Sequence, residues 1–237
     1  MKLLLANPNA TESVTKACAD LARAVASPGT EIMAWTNRGG PPVVDSFYGD
    51  YMAGRPLAVA LAAVTPVPDA VVLAGFGNYG TSAVKEILDV PVVGLAEAAM
   101  AYATPLCHRF AIVTTSPRMI PYTQDLVTFL GFDAHCAGVR AVSMPPPDPS
   151  QPGQERVLDQ LAEEVGRVTE TGAADLVILG GALLSPYAGA LRARTPVPVI
   201  EPVACAVQMA EAVVRLELRQ SKLRKFAPPP QRLAEYG

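Results

Sequence analysis

The feature that most limits what this chain can fold into is a stretch that occurs twice. Residues 69 to 75 read Asp-Ala-Val-Val-Leu-Ala-Gly, and residues 175 to 181 read Asp-Leu-Val-Ile-Leu-Gly-Gly. Each is an apolar run ending in a small-residue turn. Each leads through a helix-like segment to a second run, Val90-Pro-Val-Val and Val197-Pro-Val-Ile. The offset is constant along the stretch (69 to 175, 75 to 181), so the repeat is one of register as well as composition. A solenoid repeats every 20–50 residues or so, and this period is much longer. It therefore predicts two copies of one domain.

The periodicity around these runs alternates strand and helix. In the first copy it predicts strands over 3–6, 30–35, 70–73 and 91–93, with helices over 12–26, 56–64, 81–88 and 95–104. In the second it predicts strands over 110–113, 133–136, the apolar run within 175–181 and 198–200, with helices over 118–130, 154–170, 184–193 and 203–218. Such alternation means parallel sheets covered on both faces. The expected fold class is α/β: two pseudo-symmetric Rossmann-like domains, each with a four-stranded parallel sheet, and a site in the cleft between them. The expected boundaries are 1–98 plus 205–220 for the first domain, 99–204 for the second and 221–237 for a C-terminal tail. A loop carrying Pro145, Pro146, Pro147, Pro149 and Pro152 interrupts the second copy, where the first has a Gly/Pro-rich loop over 36–42.

Charge and cysteine usage narrow the function classes. The chain has 237 residues, 17% of them charged, and a net charge of −3, so it lacks the basic footprint of a nucleic-acid binder. No apolar run approaches the ~18 residues that a membrane span needs, and the short apolar start at Met1 reads as a strand. A cytoplasmic protein acting on a small molecule, without nucleic acid or membrane and as a homo-oligomer, is the expectation. Cys18, Cys107, Cys136 and Cys205 show no metal-ligand spacing, and with only His108 and His135 beside them no metal site is expected.

Ligands of parallel α/β sheets bind beyond the carboxyl ends of the strands. The loops to read are therefore 7–11, 36–48, 75–80, 114–118, 181–187 and 201–205. Gly75-Phe-Gly77-Asn-Tyr-Gly80 matches G-x-G-x-x-G, but the helix after it is short. The next strand also ends in Gly94, where a dinucleotide site would place an acid roughly 20 residues on. The glycines instead suit backbone N–H groups approaching a small anion or carbonyl oxygen. Glu201 ends the last strand; it is a candidate acid–base group and equally the opening acid of the last helix. Tyr48, Tyr79, Tyr122 and Tyr187 fall in or beside these loops, where a phenol can donate to an oxyanion. Arg118 follows Thr114-Thr115 and is a candidate for a substrate carboxylate.

Asn7-Pro-Asn-Ala-Thr, Gly75-Phe-Gly, Val90-Pro-Val-Val-Gly-Leu-Ala-Glu, Thr114-Thr115 and Gly181-Ala-Leu-Leu, in that order, resemble the aspartate/glutamate/hydantoin racemase superfamily. The likeness is nearest to hydantoin racemases and extends to about residue 217. Gly75, Tyr122 and the turn at Gly181 also resemble arylmalonate decarboxylase. The resemblance implies a cofactor-independent enzyme in which two cysteines, one per domain, exchange a proton with the carbon alpha to a carbonyl, while backbone amides hold the enolate oxygens. Those cysteines would fall at Gly75 and Gly181. Glycine neither gives nor takes a proton, so a two-thiol mechanism is not expected. The implied reactions are decarboxylation, lyase chemistry, cyclisation or isomerisation through an enolate, with racemisation by other acid–base groups, or binding alone, as alternatives. The expected catalytic residues are Glu201, Tyr122 and Tyr48. Asn7, Asn9, Gly75, Phe76, Gly77, Asn78, Tyr79, Thr114, Thr115, Arg118, Gly181, Ala182 and Tyr187 would hold substrate. Both strand ends are expected to offer empty space and free backbone N–H groups.

Overall fold

The computed structural model describes residues 1–77, 79–144 and 154–230. Asn78 and the proline-rich stretch from Pro145 to Pro152 lie outside the described residues. The chain divides into two compact units, Met1–Leu95 with Ala206–Gly237, and Ala96–Cys205.

In the first unit β1 (Lys2–Asn7), β2 (Glu31–Thr36), β3 (Ala70–Leu73) and β4 (Val92–Gly94) form one parallel sheet in the order β2-β1-β3-β4. The helices are α1 (Glu12–Val25), α2 (Phe47–Ala62) and α3 (Thr81–Ile87), with α4 (Leu95–Ala103) opening at the unit's edge. Leu3 to Ala6 and Ala70 to Leu73 are buried without a break, because a strand covered on both faces needs apolar residues at every position. Leu4, Ala6, Val71 and Leu73 pack with Leu57 and Leu61 of α2 and Val84 of α3. Helix α1 turns Val14, Cys18 and Ala22 inward at the four-residue spacing of one helix face.

The second unit repeats the plan. Strands β5 (Phe110–Thr114), β6 (Cys136–Ala141), β7 (Leu176–Gly180) and β8 (Val199–Ile200) are parallel in the order β6-β5-β7-β8. They are joined by α5 (Met119–Leu130), α6 (Gln154–Glu170), a 3-10 turn at Ala182–Tyr187 and α7 (Ala188–Arg192), and α8 (Pro202–Arg215) carries the chain back. Val157, Leu161, Val165 and Val168 of α6 join Val113, Val177 and Leu179 in the core.

The twin aspartates show why the repeat is one of structure. Asp69 accepts the Lys2 N–H at 2.6 Å, tying the start of β3 to the start of β1. Asp175 accepts the His108 and Arg109 N–H groups, each at 3.0 Å, and ties the approach to β7 to the approach to β5. The same acid at the same register closes the amino end of each sheet.

Two expectations need correction. Helix α2 begins at Phe47, well before Pro56, because Ser46 caps it by accepting the Gly49 N–H. Pro56 stands inside the helix, where buried Ala53, Leu57 and Leu61 carry it past the missing N–H. Strand β6 starts at Cys136, since Asp133 to His135 belong to the turn that closes on the Phe132 carbonyl. Past α8, Gln220 lies in the expected first domain, and Lys222 opens the stretch expected as a tail. Gln220 donates to the Leu88 and Val90 carbonyls at 2.8 and 2.9 Å, and Lys222 donates to those of Lys85 and Glu86. Those bonds assign both to the first unit.

Candidate functional site

At the carboxyl end of β1, Asn7 is fully buried. Its amide nitrogen is aimed at Asn9 Oδ1 (3.0 Å), the Thr11 carbonyl (3.2 Å) and Thr15 Oγ1 (2.9 Å), and its Oδ1 accepts the Asn9 N–H. Asn9 Oδ1 also accepts the Thr11 N–H at 2.9 Å. Asn7 therefore shapes the 7–11 loop against α1 and has no donor left over for a substrate. Asn9 is half-buried, and its amide nitrogen has no partner among the described residues.

At the end of β3 the turn over Gly75, Phe76 and Gly77 is buried. The N–H groups of Gly75 and Phe76 donate to nothing among the described residues. Buried amides are almost always paired, so two unpaired ones side by side are a natural seat for an oxygen atom. The expected empty space is absent at this end. A Cβ on Gly75 would stand 2.5 Å from Cδ2 of Tyr79 and 2.6 Å from Cγ of Pro8, and one on Gly77 would meet the same ring. Tyr79 is itself buried and donates from its hydroxyl to the Val44 carbonyl at 3.3 Å. Burial, with Asp50 and Asp45 nearby, raises its pKa far above the usual tyrosine value, against a smaller opposing effect of the Gly77 amide. It is a neutral phenol, a donor and not a base.

The second unit differs. Among the described residues, a Cβ on Gly181 would meet a single atom within 4 Å, the Thr115 methyl at 2.8 Å. Gly181 has φ 172, extended backbone that any residue adopts. The described residues leave space here apart from that one side-chain tip. Ala182 opens the 3-10 turn, whose first N–H groups face away from the turn's own bonds. Thr114 is buried and donates its hydroxyl to the Gly180 carbonyl at 3.1 Å, whereas Thr115 is half-buried.

Glu201 is 6% exposed and works first as the cap of α8. Its carboxylate accepts the Val203 N–H (2.8 Å), the Ala204 N–H (2.7 Å) and the Ser185 hydroxyl (2.5 Å). Sequence reasoning missed Ser185, 16 positions away on a turn, and no local pattern links the two. Tyr122 is buried on the first turn of α5, and Tyr187 is half-buried against the second core with its pKa raised by burial. Tyr48 is 75% exposed on the first turn of α2, and Arg118 is exposed ahead of α5. The contacts above join Glu201 only to Ser185 and the start of α8.

The cysteines are poor bases as they stand. Burial raises the pKa of Cys107, of Cys136 and, with Glu201 adding to it, of Cys205, the last to about 11. Among the described residues no group of three His, Cys, Asp or Glu is placed to hold a metal ion, and no helix is long and apolar enough to cross a membrane. A groove of about 800 Å³ runs along the edge strand β2, past Lys16, Trp35, Asn37 and Arg38. None of the candidate site residues lines it, so the strand-end loops carry the chemical argument.

The Asp/Glu/Hydantoin racemase family profile matches residues 3–210. The chain is 32% identical to a hydantoin racemase of Pseudomonas sp. (strain NS671), over 98% of this chain and 93% of that one. An allantoin racemase structure from Pseudomonas fluorescens superposes with a TM-score of 0.93 at 34% identity, covering 98% of each chain. Unliganded arylmalonate decarboxylase, at 19% identity, shares the fold with a TM-score of 0.60 over 100% of this chain and 99% of that one. Twin parallel sheets, glycine turns at matching strand ends and a family match across nearly the whole length lead to one conclusion: the chain belongs to the Asp/Glu/hydantoin racemase family.

Proposed function

We propose that this chain is a cofactor-independent enzyme that forms an enolate-like intermediate on a small carbonyl or carboxylate compound without using thiols. The observation that supports the reading is the buried Gly75–Phe76 turn, whose two N–H groups, without a partner among the described residues, suit a developing oxyanion. Stabilising that oxygen lowers the barrier to removing the neighbouring proton or to losing CO₂. The relatives are named for hydantoin and allantoin, ring ureides with an acidic carbon beside a carbonyl, so a small cyclic ureide is the first substrate class to test. Gly75 and Gly181 stand where the family resemblance assigns the thiols, and neither can move a proton. Glu201 is the proposed base. Oε1 takes Ser185 and Val203, while Oε2 takes Ala204 and keeps a lone pair. Tyr122 is proposed to donate to the oxyanion.

A second reading, racemisation by oxygen acids and bases, is favoured by the 32–34% identity to racemases over 98% of the chain. One experiment separates the readings. Single enantiomers of 5-substituted hydantoins, amino acids and arylmalonates are incubated with the protein in D₂O, after iodoacetamide treatment, and followed by NMR and polarimetry. Deuterium at the alpha carbon that survives alkylation supports the enolate reading. Loss of optical activity along with exchange selects racemisation, and CO₂ release selects decarboxylation. Binding without exchange or turnover removes the enzymatic reading altogether. Glu201→Gln, which keeps an oxygen to cap α8, should abolish exchange while the fold persists. Full exchange in that variant would reduce Glu201 to its cap.

A further inference from the structure

The end of β3 is closed by a side chain from its own loop. The Tyr79 ring lies against both Gly75 and Gly77, and Pro8 from the β1 loop closes on Gly75 from another direction. Real Cβ atoms essentially never approach other heavy atoms closer than 3.0 Å, and both contacts at position 75 are shorter. The Tyr79 ring is buried and its hydroxyl reaches Val44, so it is held at its far end as well. A deformable tip would yield at small cost, but here the obstacle is the body of a ring and a pyrrolidine. At the Gly181 turn the described residues bring up one methyl and no such plug.

We propose that Tyr79 determines what the β3 end accepts: its ring fills a flat slot over Gly75–Gly77, excluding any side chain at position 75 and leaving a ligand only the backbone N–H groups of the turn, and its removal opens that slot. The inference deepens the function proposed above, since it explains how this strand end lacks a working acid or base, but it stands on packing and is tested without activity. Glycines at 75 and 77 and tyrosine at 79 form one unit. Changing position 75 alone places a side chain where the ring already is.

The test uses the full-length chain with Tyr79→Ala, Tyr79→Phe, Gly75→Cys and the Gly75→Cys/Tyr79→Ala double variant. Thermal melting is measured with and without millimolar p-cresol, which reproduces the lost ring. p-Cresol should raise the melting temperature of Tyr79→Ala and leave the wild type and Tyr79→Phe unmoved. Gly75→Cys should melt below the wild type, and Tyr79→Ala should recover much of that loss in the double variant. Iodoacetamide labelling at position 75, read by peptide mass spectrometry, should run at least tenfold faster in the double variant than in Gly75→Cys. Equal p-cresol shifts in Tyr79→Ala and the wild type would overturn the proposal, as would a Gly75→Cys protein that melts like the wild type and labels equally in both backgrounds. Should the cysteine variants fail to fold, the p-cresol comparison decides alone. Deuterium exchange by the wild type is scored separately, so failure of the enolate reading leaves this result standing, and the reverse.

Discussion

Glu211 shows at the level of one residue how a buried charge can be retained. It is fully buried on α8, yet it accepts the Ser27 N–H at 2.8 Å and the Ser27 and Thr30 hydroxyls at 2.6 Å each, and it pairs with Arg215 at 3.0 Å. Burial pushes its pKa up, but the hydrogen bonds and the Arg215 charge outweigh that, so the carboxyl titrates below its usual value. A carboxyl depressed in the folded state adds stability above its unfolded pKa, about 4.3, and loses it as pH falls through the lower folded value. Glu211→Gln should therefore cost about 1–3 kcal/mol in urea unfolding at pH 7. The gap to the wild type should narrow as pH falls below about 4. A gap that stays constant down to pH 3 would show that shape, and not charge, is what matters there.

At the scale of elements, the segment after α8 acts as a strap on the α3–β4 connection. The Gln220 side chain donates to the Leu88 and Val90 carbonyls and accepts the Val92 N–H at 3.3 Å. One amide thus satisfies backbone groups that the short β4 leaves open. Gln220→Ala should cost about 1–3 kcal/mol and speed hydrogen exchange at the Val92 amide more than at β1 amides. Equal exchange at both would mean that the strap holds nothing locally. Local signals in the sequence could not reveal it, because the partners of Gln220 lie more than 120 positions away. Helix α2 is a second case. The expected helix began at Pro56, and the buried Ala53, Leu57 and Leu61 show that it runs through that residue from its Ser46 cap.

At the scale of the whole molecule, the repeat predicts separable contributions from its two copies. Asp69 binds Lys2 in the first unit and Asp175 binds His108 and Arg109 in the second, with no partner in common. Hydrogen bonds from those two amides hold the Asp175 carboxyl below its usual pKa. Asp69→Ala and Asp175→Ala should each lower stability, and the double variant should lose their sum within about 0.5 kcal/mol. A larger departure, measured by urea unfolding, would show that the two sheet ends are coupled.

The repeat at 69–75 and 175–181 determined the two parallel sheets and the loops worth reading, because a strand buried on both faces is written as an unbroken apolar run. Strand edges moved by a few residues at β6 because a turn and a strand start share the same polar residues. The state of the strand ends was a different matter. Glycine at 75 and at 181 looks alike in the sequence and reads as space in both places. Tertiary packing decided that Tyr79 and Pro8 fill the first end while, among the described residues, the second meets only the tip of Thr115. It also turned Asn7 inward and gave Glu201 its Ser185 partner. A sequence records which atoms are missing at a glycine, and only the folded chain determines which neighbour takes their place.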